Sequence, residues 1–596
     1  MAANAPNWNL SDLFDSPTDP RIETALEQGL TRAQQFAAKY RGRIRSENLQ
    51  ADELLAALRE YESLLQENSK PMEFAGLLYA ANTGDPAIAR FMQLMQEKAT
   101  QISVEIMFFA LELLAAEEEH IERLLRDPAL QNYVHFVRAS RAFRDYTLSE
   151  PEERILEECK NSGSRAFGRL FTEVLSNHRF RFELRGEVSE QTESELLDKL
   201  RSPDREERRA AAESLTVGLG ELERVLVHTF NTLLLDKAIN DRLRGLPTPM
   251  ESRHISNELD NDTVEMVMQL CEQEYPLCAR YYRLKKQILG LDELTHYDRY
   301  APLFETESRV DWDQAEEIVL TSFGKFSQTI REHAERFFRK GWIDAAPAPG
   351  KMGGAFCSYV TPDLHPYVFL NYHGKMDDVL TLAHELGHGV HASLSAGQTY
   401  LNYSGTLPLA ELASTFGEML VFDALQETAT PRDRLAMYAE SIEGAFATIF
   451  RQAAMYRFEQ DVHMHRREKG EMTAEEVGAY WQSRQQAMFG DSVVLGEDHR
   501  RWWSYVPHFV HSPFYVYAYS FGELLVMSLY RMALEQGPAF EPKYVALLRA
   551  GGSKSPHELM SSVGIDLRSR DFWLGGFRVL EDRIQRFEKL WEEFDA

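Results

Sequence analysis

The chain has 596 residues, of which 44% are hydrophobic and 27% are charged, a composition typical of a globular protein with a large core. Its 65 basic and 93 acidic residues give a formal net charge of -28, and such a surface repels phosphate backbones, which argues against a nucleic-acid partner. No apolar run approaches the ~20 residues that a membrane-spanning helix needs, so no membrane partner is expected.

The cysteines and the first residues of the chain bear on the cellular compartment. Four cysteines occur, at positions 159, 271, 278 and 357, and they are too few and too scattered for a disulfide framework. Only Cys271 and Cys278 are close, and their separation is not the spacing of a zinc clamp. The stretch from Met1 to Leu30 lacks a basic segment followed by an apolar one, so it does not resemble a signal peptide. These features predict a cytoplasmic protein.

The first third of the chain is predicted to be helical after a polar lead-in over residues 1–20. Apolar residues recur at helical spacing in segments that cover approximately residues 21–40, 51–67, 86–116 and 151–175. Residues 180–188 instead alternate apolar and charged side chains, which is the pattern of a short strand or hairpin arm. This change of pattern predicts a domain boundary near residue 190, with one domain over residues 1–190 and a second over residues 191–596.

The second part of the chain is predicted to be helical with one small sheet. Helical texture resumes after Ser202, a candidate N-cap. Prolines and glycines punctuate residues 341–374, in which residues 355–360 and 367–372 have the texture of short strands. After Gln398 the sequence is again mostly helical. The expected fold is therefore mainly α, with a small β-sheet just before a helix that starts near residue 377.

This helix carries the motif H-E-x-x-H at His384, Glu385 and His388. Residues four apart lie on one face of a helix, so the two imidazoles can bind a single metal ion. Glu385 is turned away from their midpoint by about a quarter of a helical turn, where a carboxylate can take a proton from a metal-bound water without being a ligand. The alternative is a surface helix that carries two histidines, so a third ligand is needed to decide.

The residues around the motif favour a helix. No proline occurs from Asp377 to Leu394, and acidic side chains in the first turn suit the helix dipole. The apolar residues with roughly helical spacing are Val379, Leu382, Leu386 and Val390.

Three residues are candidates for further roles at the metal. His391 lies on the same face but about 10.5 Å along the axis from His384, at 1.5 Å per residue, which favours a packing role. Glu411 is expected in the first turn of a new helix that starts at Leu409, from which it could face the histidines as the third ligand. Glu418, two turns later on the same face, could accept a hydrogen bond from a ligand histidine. The alternative for both acids is a solvent-facing position on an amphipathic helix.

The segment from His508 to Tyr519 is rich in histidine and tyrosine. If one helix runs through it, His508, His511, Tyr515 and Tyr519 share a face. Tyrosine hydroxyls and an imidazole can donate hydrogen bonds to the oxyanion of a tetrahedral intermediate, as a hydrolase requires. The alternative is an aromatic core stripe with hydrogen-bonded polar tips.

The glycine-rich Gly353-Gly354-Ala355-Phe356-Cys357 has two equally supported interpretations. A strand edge here could pair with the backbone of a peptide, and the glycines would allow a close approach. A plain turn before a strand explains the same residues.

Several motifs in order along the chain carry a family resemblance. They are Trp8 to Leu13, Lys351 to Cys357, Asn371-Tyr372, Thr381 to His391, Leu409 to Glu418 and His508 to Tyr519. Through these motifs the chain resembles the thimet-oligopeptidase-like zinc metallopeptidases of family M3, and within them the oligoendopeptidase F group.

The resemblance implies a large helical ellipsoid with a deep central substrate channel and a small β-sheet next to the H-E-x-x-H helix. Residues 1–190 would form part of the channel wall, and residues 191–596 would be the catalytic domain. The family implies one Zn²⁺ per chain. Its motifs match metal ligands at His384, His388 and Glu411 and the general base at Glu385, and its histidine-tyrosine segment matches His508 to Tyr519. Within that segment, the geometry of one helical face favours His511, Tyr515 and Tyr519 as oxyanion contacts. Which of the tyrosines at 515, 517 and 519, and which of the histidines at 508 and 511, contact the oxyanion stays open.

The predicted function is a zinc-dependent oligoendopeptidase that hydrolyses internal bonds of short peptides, with zinc-bound water as the nucleophile. A carboxypeptidase or dipeptidyl carboxypeptidase on the same scaffold is the nearer alternative, although no residue declares itself as a partner for a C-terminal carboxylate. A non-catalytic helical peptide-binding protein is the distant alternative. Glu385 argues against it, because a pure binder needs no base beside the metal. The sequence assigns no oligomeric state.

Overall fold

The computed structural model describes residues 4–304 and 308–595, and it is mainly α-helical, as the sequence predicts. The helices of the first half are α1 Pro20–Tyr40, α2 Ala51–Ala81, α3 Pro86–Ala115, α4 Glu118–Leu124, α5 Val134–Ser140, α6 Glu150–Lys160, α7 Ser164–Asn177, α8 Glu193–Lys199, α9 Arg205–Arg244, α10 Glu251–Ser256, α11 Asn261–Gln273 and α12 Tyr275–Ile288. Those of the second half are α13 Trp312–Phe326, α14 Gln328–Lys340, α15 Met376–Ser395, α16 Leu407–Ala410, α17 Ser414–Thr428, α18 Pro431–Ala445, α19 Arg451–Glu468, α20 Ala474–Phe489, α21 His508–His511, α22 Tyr517–Gln536, α23 Glu541–Ala550, α24 Pro556–Ser561 and α25 Arg570–Asp595.

Two small sheets interrupt the helices. The strands are β1 Phe180–Leu184, β2 Glu187–Gln191, β3 Ile343–Asp344, β4 Phe356–Ser358 and β5 Tyr367–Phe369. The first two form an antiparallel hairpin that pairs Leu184 with Glu187. The predicted short strand or hairpin arm over residues 180–188 is therefore confirmed as a hairpin arm, which ends at Leu184, because the chain turns at residues 185 and 186. The others form a sheet of order β3-β5-β4, in which β3 is parallel and β4 antiparallel to β5. The predicted small sheet before the H-E-x-x-H helix is therefore present, with shorter strands than expected.

The chain forms two compact units, and each draws on three stretches of sequence. Unit 1 comprises Met1–Asp145, Glu307–Thr428 and Leu529–Asp566. Unit 2 comprises Tyr146–Thr306, Ala429–Ser528 and Leu567–Ala596. The predicted division at residue 190 into a channel wall and a catalytic domain stays a prediction, because these units are defined by spatial contacts and not by role.

In unit 1 the N-terminal segment is packed against the small sheet. The Trp8 ring lies 5.5 Å from the ring of Phe369, and the Trp8 amide donates to Asp344 Oδ2 at 3.4 Å. Lys351 Nζ lies 2.5 Å from Asp344 Oδ1, so β3 and the loop before β4 are tied together at one buried carboxylate. Leu13 is also buried, which shows why this polar-looking lead-in is ordered: it contributes apolar side chains to the core.

Helix α15 is fixed from several sides within unit 1. The predicted apolar face is confirmed, because Val379, Leu382, Leu386 and Val390 are all at most 1% exposed. At its start, Asp378 Oδ2 accepts hydrogen bonds from the backbone amides of residues 373 and 375 at 2.7 and 2.9 Å. The helix packs on β4, β5, α14 and α17. It is a buried structural element and not a surface helix.

The contact between α15 and the start of α17 is unusually close. A Cβ atom at Gly387 would lie 2.4 Å from the carbonyl oxygen of Ala413 and 2.6 Å from Cα of Ser414, so only glycine fits there. This approach compensates for the low helix propensity of glycine, because it brings the segment after residue 410 onto the histidine-bearing face of α15.

In unit 2, buried polar groups fix the ends of long helices. Lys285 Nζ and the Tyr281 hydroxyl both donate to Glu443 Oε1 at 2.6 Å, which joins α12 to α18. A π-helical turn over Phe446–Phe450 connects α18 to α19. Ser520 Oγ donates to the carbonyl of Ile449 at 2.8 Å, so the first turn of α22 is anchored on this turn.

Over residues 4–304 and 308–595, no single helix is both long enough and apolar enough to span a membrane. Taken together, α3 and α4 have the required length and composition, but the chain bends by 103° between them.

We expect Gly387→Ala to lower the free energy of unfolding by about 1–3 kcal/mol, because the added methyl group overpacks a backbone contact. Gly76→Ala is the matched control, since a Cβ at that position of α2 meets nothing within 4 Å and should stabilise by up to about 1 kcal/mol. Urea unfolding measures both variants. Equal stability of the two would contradict the close-contact interpretation.

Candidate active site

Three side chains of unit 1 converge on one point. Glu411 Oε2 lies 3.3 Å from His384 Nε2 and 3.4 Å from His388 Nε2. One ligand atom from each residue lies within 4.8 Å of those of the other two, close enough to share a metal ion. The two imidazole planes are inclined at 80°, with ring centroids 5.0 Å apart. The structure thus brings together the three residues that the sequence predicts as ligands.

The local structure around Glu411 differs from the prediction. A single helical turn, α16, ends at Ala410, and Glu411 follows it with φ -87° and ψ 6° before α17 starts at Ser414. Glu411 therefore lies in a turn between two helices and not in the first turn of a helix. Ser414 Oγ donates to Glu411 Oε2 at 2.5 Å, and this hydrogen bond orients the oxygen that faces the histidines. The sequence analysis did not single out Ser414, because no local period relates it to the histidines.

Glu418 and His391 also have defined positions. Glu418 Oε2 lies 3.3 Å from His384 Nδ1, so it contacts the ring nitrogen that points away from Glu411. This is the arrangement in which a carboxylate orients a ligand histidine. His391 is 5% exposed, and it does not belong to the cluster of possible ligands that the described residues form.

The two carboxylates also determine which histidine holds a proton. Burial lowers the pKa of His384, but hydrogen bonds to Glu411 and Glu418 outweigh burial and raise it to about 10. Burial lowers the pKa of His388 to about 4, although Glu411 opposes this. Burial raises the pKa of Glu411, but the hydrogen bond to His384 outweighs it and lowers the pKa to about 2. At neutral pH a protonated His384 therefore faces the ionised Glu411, while His388 is neutral.

Glu385 is a buried carboxylate beside this cluster. It is 6% exposed, and within the described part of the chain its Oε2 atom has no hydrogen-bond partner. Burial raises its pKa to about 7, since few groups compensate for the loss of water. A buried carboxyl without partners is destabilising on its own, so its place next to two histidines indicates a chemical role.

The donor set fits a catalytic metal. Two imidazole nitrogens and one carboxylate oxygen are the three protein ligands of many catalytic zinc sites. The unpartnered Oε2 of Glu385 offers a hydrogen-bond acceptor beside them. His384, His388 and Glu411 could therefore hold a divalent cation, with Glu418 fixing one ligand ring.

The glycine-rich loop leads into an edge strand beside α15. Among the described strands, β4 pairs only with β5, and α15 packs on both. Asn371 Nδ2 donates to the carbonyls of Met352 and Gly354 at 2.9 and 3.3 Å, and Gly354 has φ +82°. The loop is therefore held by side-chain hydrogen bonds, and the outer edge of β4 is available for pairing with an extended backbone.

The histidine-tyrosine segment in unit 2 does not form one helix. α21 ends at His511, Phe514 has φ +59°, and α22 starts at Tyr517. The expectation of a continuous helical face is therefore wrong, because the left-handed residue breaks the helix. Pro513 also lies in this break.

Because the helix is broken, the candidate residues do not share one environment. His508 stacks on the Tyr515 ring with centroids 5.8 Å apart, and its Nε2 lies 3.5 Å from the Tyr519 hydroxyl. His511 instead lies against α7, where its Nε2 is 3.2 Å from Thr172 Oγ1. The structure groups Tyr515 and Tyr519 with His508, and the catalytic role predicted for His511 stays a prediction.

Tyr517 belongs to the core of unit 2. It is 0% exposed, and its hydroxyl accepts a hydrogen bond from Asn257 Nδ2 at 2.8 Å and lies 3.0 Å from His254 Nδ1. Burial lowers the pKa of His254 to about 4, so its ring is neutral at pH 7 and an unprotonated Nδ1 can accept the hydroxyl proton of Tyr517. Tyr517 is thus an anchor for the start of α22.

Comparisons with known proteins agree with this site. Residues 199–579 match the model of peptidase family M3, and residues 112–180 match a model described as oligopeptidase F. Group B oligopeptidase PepB of Streptococcus agalactiae serotype III is 28% identical over 98% of this chain and 96% of its own length. Oligopeptidase PepF of Bacillus subtilis is 26% identical over 98% of this chain and 87% of its own length.

A solved structure supports the fold. Oligoendopeptidase-F from Enterococcus faecium superimposes with a TM-score of 0.71 at 21% identity, over 96% of this chain and 98% of that one. This likeness extends over nearly the whole chain and supports the fold.

We expect His254→Asn to reduce the loss of stability on acidification. Burial lowers the pKa of His254 to about 4, while the unfolded chain has an ordinary value near 6.5. The neutral ring therefore contributes stability above pH 6.5 that is lost as the pH falls towards 4, by roughly 1–3 kcal/mol. Asparagine retains an acceptor without titrating, so the melting temperature of the variant should fall less between pH 7 and 4.5 than that of the wild type.

The control is His228→Asn on an exposed face of α9, which should follow the wild-type pH profile. An unchanged pH profile in His254→Asn would contradict the assigned proton arrangement.

Proposed function

Because this chain belongs to peptidase family M3, we propose that it is a zinc-dependent oligoendopeptidase, which hydrolyses internal bonds of short peptides. One observation supports this above the others: His384, His388 and Glu411 present their ligand atoms to one point beside the buried carboxyl of Glu385. A binding protein has no use for a buried, unpartnered carboxyl at that position. The curated relatives named as oligopeptidases match nearly the whole chain.

The three ligands would be His384 Nε2, His388 Nε2 and Glu411 Oε2, which are the atoms that face one another. When bound, zinc supplies a Lewis acid that polarises a carbonyl oxygen and makes a water molecule more acidic. Glu418 accepts a hydrogen bond from His384 Nδ1 and so fixes the orientation of that ring. Ser414 does the same for Glu411 through its hydrogen bond to Oε2.

Glu385 is the general base in this proposal. Its carboxylate takes the proton of the attacking water and passes it to the nitrogen of the leaving amine. Burial supports this role, since a carboxyl with a pKa near 7 can both accept and release a proton at neutral pH.

Substrate contacts complete the proposal. The free edge of β4 beside α15 offers main-chain hydrogen bonds to an extended peptide, which gives affinity without strong sequence preference. His511, Tyr515 and Tyr519 are proposed as donors to the developing oxyanion, because they lie in the segment that resembles the histidine-tyrosine segment of the family. The grouping of Tyr515 and Tyr519 with His508 adds His508 to this set. The cytoplasmic location stays a prediction.

Glu385→Gln should retain the metal and lose peptide hydrolysis by about 10²–10⁴-fold, because glutamine cannot accept the proton. Turnover of a quenched peptide and metal content by mass spectrometry give the two readouts. Glu427→Gln is a control on an exposed acid at the end of α17 and should be fully active. Near-normal hydrolysis by Glu385→Gln would contradict the assignment of Glu385 as the general base.

His388→Ala should fail to retain metal after dialysis, with less than about one tenth of an equivalent bound, since three ligands are needed for tight binding. His391→Gln on the same helix should bind a full equivalent, because its imidazole is outside the ligand cluster. Metal analysis of both proteins tests the ligand set directly. Normal metal content in His388→Ala would overturn it.

The decisive assay uses a quenched peptide blocked at both ends, before and after chelation and after zinc is restored. We expect cleavage that chelation abolishes and zinc restores. Trimming of free C-termini without cleavage of the blocked peptide would indicate a carboxypeptidase. Zinc binding without cleavage of either peptide would indicate a peptide-binding protein.

A further inference from the structure

A buried carboxyl group in unit 2 has no part in the metal centre. Glu459 on α19 is 0% exposed, and its Oε1 atom accepts a hydrogen bond from the backbone amide of Phe514 at 2.8 Å. Over the described residues its Oε2 atom has no partner. Burial raises the pKa of Glu459 to about 8, so the group is held mainly as a neutral acid at pH 7. A neutral carboxyl still accepts a hydrogen bond through its carbonyl oxygen.

The residue that Glu459 binds has an unfavourable backbone conformation. Phe514 has φ +59°, in the left-handed region, which bulky side chains rarely adopt because Cβ lies too close to the following carbonyl oxygen. Such a conformation persists only where its surroundings impose it. The hydrogen bond from its amide to a fully buried acceptor is one such constraint.

The same face of α19 also holds the Phe514 side chain. The Phe514 ring is 0% exposed and lies 4.7 Å from the ring of His463 and 5.9 Å from that of Tyr456. These residues are four positions after and three positions before Glu459, so all three lie on one helical face. One face of α19 thus binds the amide of Phe514 and packs against its ring.

The side chains of Phe514 and of the residue that follows it lie in different environments. Phe514 points into the core, and the next residue, Tyr515, is half-buried and stacks on His508. Its ring centroid lies 5.2 Å from that of Tyr519. A relaxed, ordinary φ at Phe514 would rotate the following peptide and move Tyr515 away from both partners.

We propose that Glu459 is a positioning residue: by accepting the Phe514 amide hydrogen bond it maintains the left-handed turn that directs Tyr515 towards His508 and Tyr519. This inference rests on the proposed function, in which these side chains assist peptide hydrolysis. Glu459 does not touch the substrate, and it acts only through the backbone of Phe514. The required property is a buried acceptor, and a negative charge is not needed.

The test compares three variants of Glu459 in the full-length, zinc-loaded protein. Glu459→Met has similar length without an acceptor, Glu459→Gln keeps the acceptor without titrating, and Glu459→Asp keeps the carboxyl but withdraws it by about one methylene. For Glu459→Met we expect kcat to fall at least about ten-fold with KM nearly unchanged, since a misplaced donor weakens transition-state stabilisation. Glu459→Gln should restore kcat to within about two-fold, and Glu459→Asp should be intermediate.

Hydrogen exchange supplies a readout that does not depend on activity. The Phe514 amide should exchange slowly in the wild type and in Glu459→Gln, and quickly in Glu459→Met, while the amides of α19 remain protected. If Glu459→Met does not fold, Glu459→Asp carries the same comparison, because it retains a polar group at the buried position. Its expected result is faster exchange at Phe514 together with a reduced kcat.

Three results would overturn the inference. The first is a protected Phe514 amide in Glu459→Met, which would show that the hydrogen bond does not hold the turn. The second is a wild-type kcat in a variant whose Phe514 amide exchanges quickly. The third is a Glu459→Gln variant as impaired as Glu459→Met, which would assign the effect to charge. A wild-type protein without peptidase activity would instead refute the proposed function, and the exchange data would still decide whether Glu459 holds the turn.

Discussion

The close approach of α15 and the segment that starts α17 is the constraint on which the metal centre depends. Gly387 lies between the two histidines of the motif, and the space for its missing side chain is filled by the backbone of residues 413 and 414. Because the backbones touch there, Glu411 reaches both histidines from the preceding turn, and Glu418 reaches His384 from the following helix. A side chain at this point would separate the helices and leave the histidines without their carboxylates.

Burial and pairing act on the acids of the centre in opposite directions, and this gives each acid a separate role. Glu411 gains histidine partners that lower its pKa, so it stays ionised and suits a metal ligand. Glu385 is buried without a partner for Oε2, so its pKa rises to about 7 and it suits proton transfer. Carboxyl groups within one small site therefore divide the work of binding and chemistry according to their surroundings.

In unit 2, buried hydrogen bonds fix the backbone segment that carries two polar aromatic side chains. Tyr517 is anchored by Asn257 and His254, and Ser520 is anchored on the π-helical turn between α18 and α19. Phe514 is held in a left-handed conformation by Glu459. Tyr515 and Tyr519 lie between these anchors and are not fully buried. The strained backbone at Phe514 and the buried hydrogen bonds therefore define the positions of both hydroxyl groups.

The sequence by itself determined the features that repeat within one element. The spacing of His384 and His388 and the apolar residues of α15 follow from the helical period, and the alternation over residues 180–188 follows from the period of a strand. The mainly α fold and the small sheet before α15 follow in the same way. The ordered set of motifs also identified the family, because several motifs in register are far more specific than one.

Only the tertiary structure decided how separate segments meet. In the metal centre, Glu411 lies in a turn and Ser414 is its hydrogen-bond partner. In unit 2, Tyr517 is buried, whereas Tyr515 and Tyr519 contact His508. The N-terminal segment packs on the small sheet. These contacts join residues from different elements, in most cases far apart along the chain, so no local period encodes them. The break at Phe514 is the clearest case, since the conformation of one residue is imposed by a carboxyl group 55 positions away.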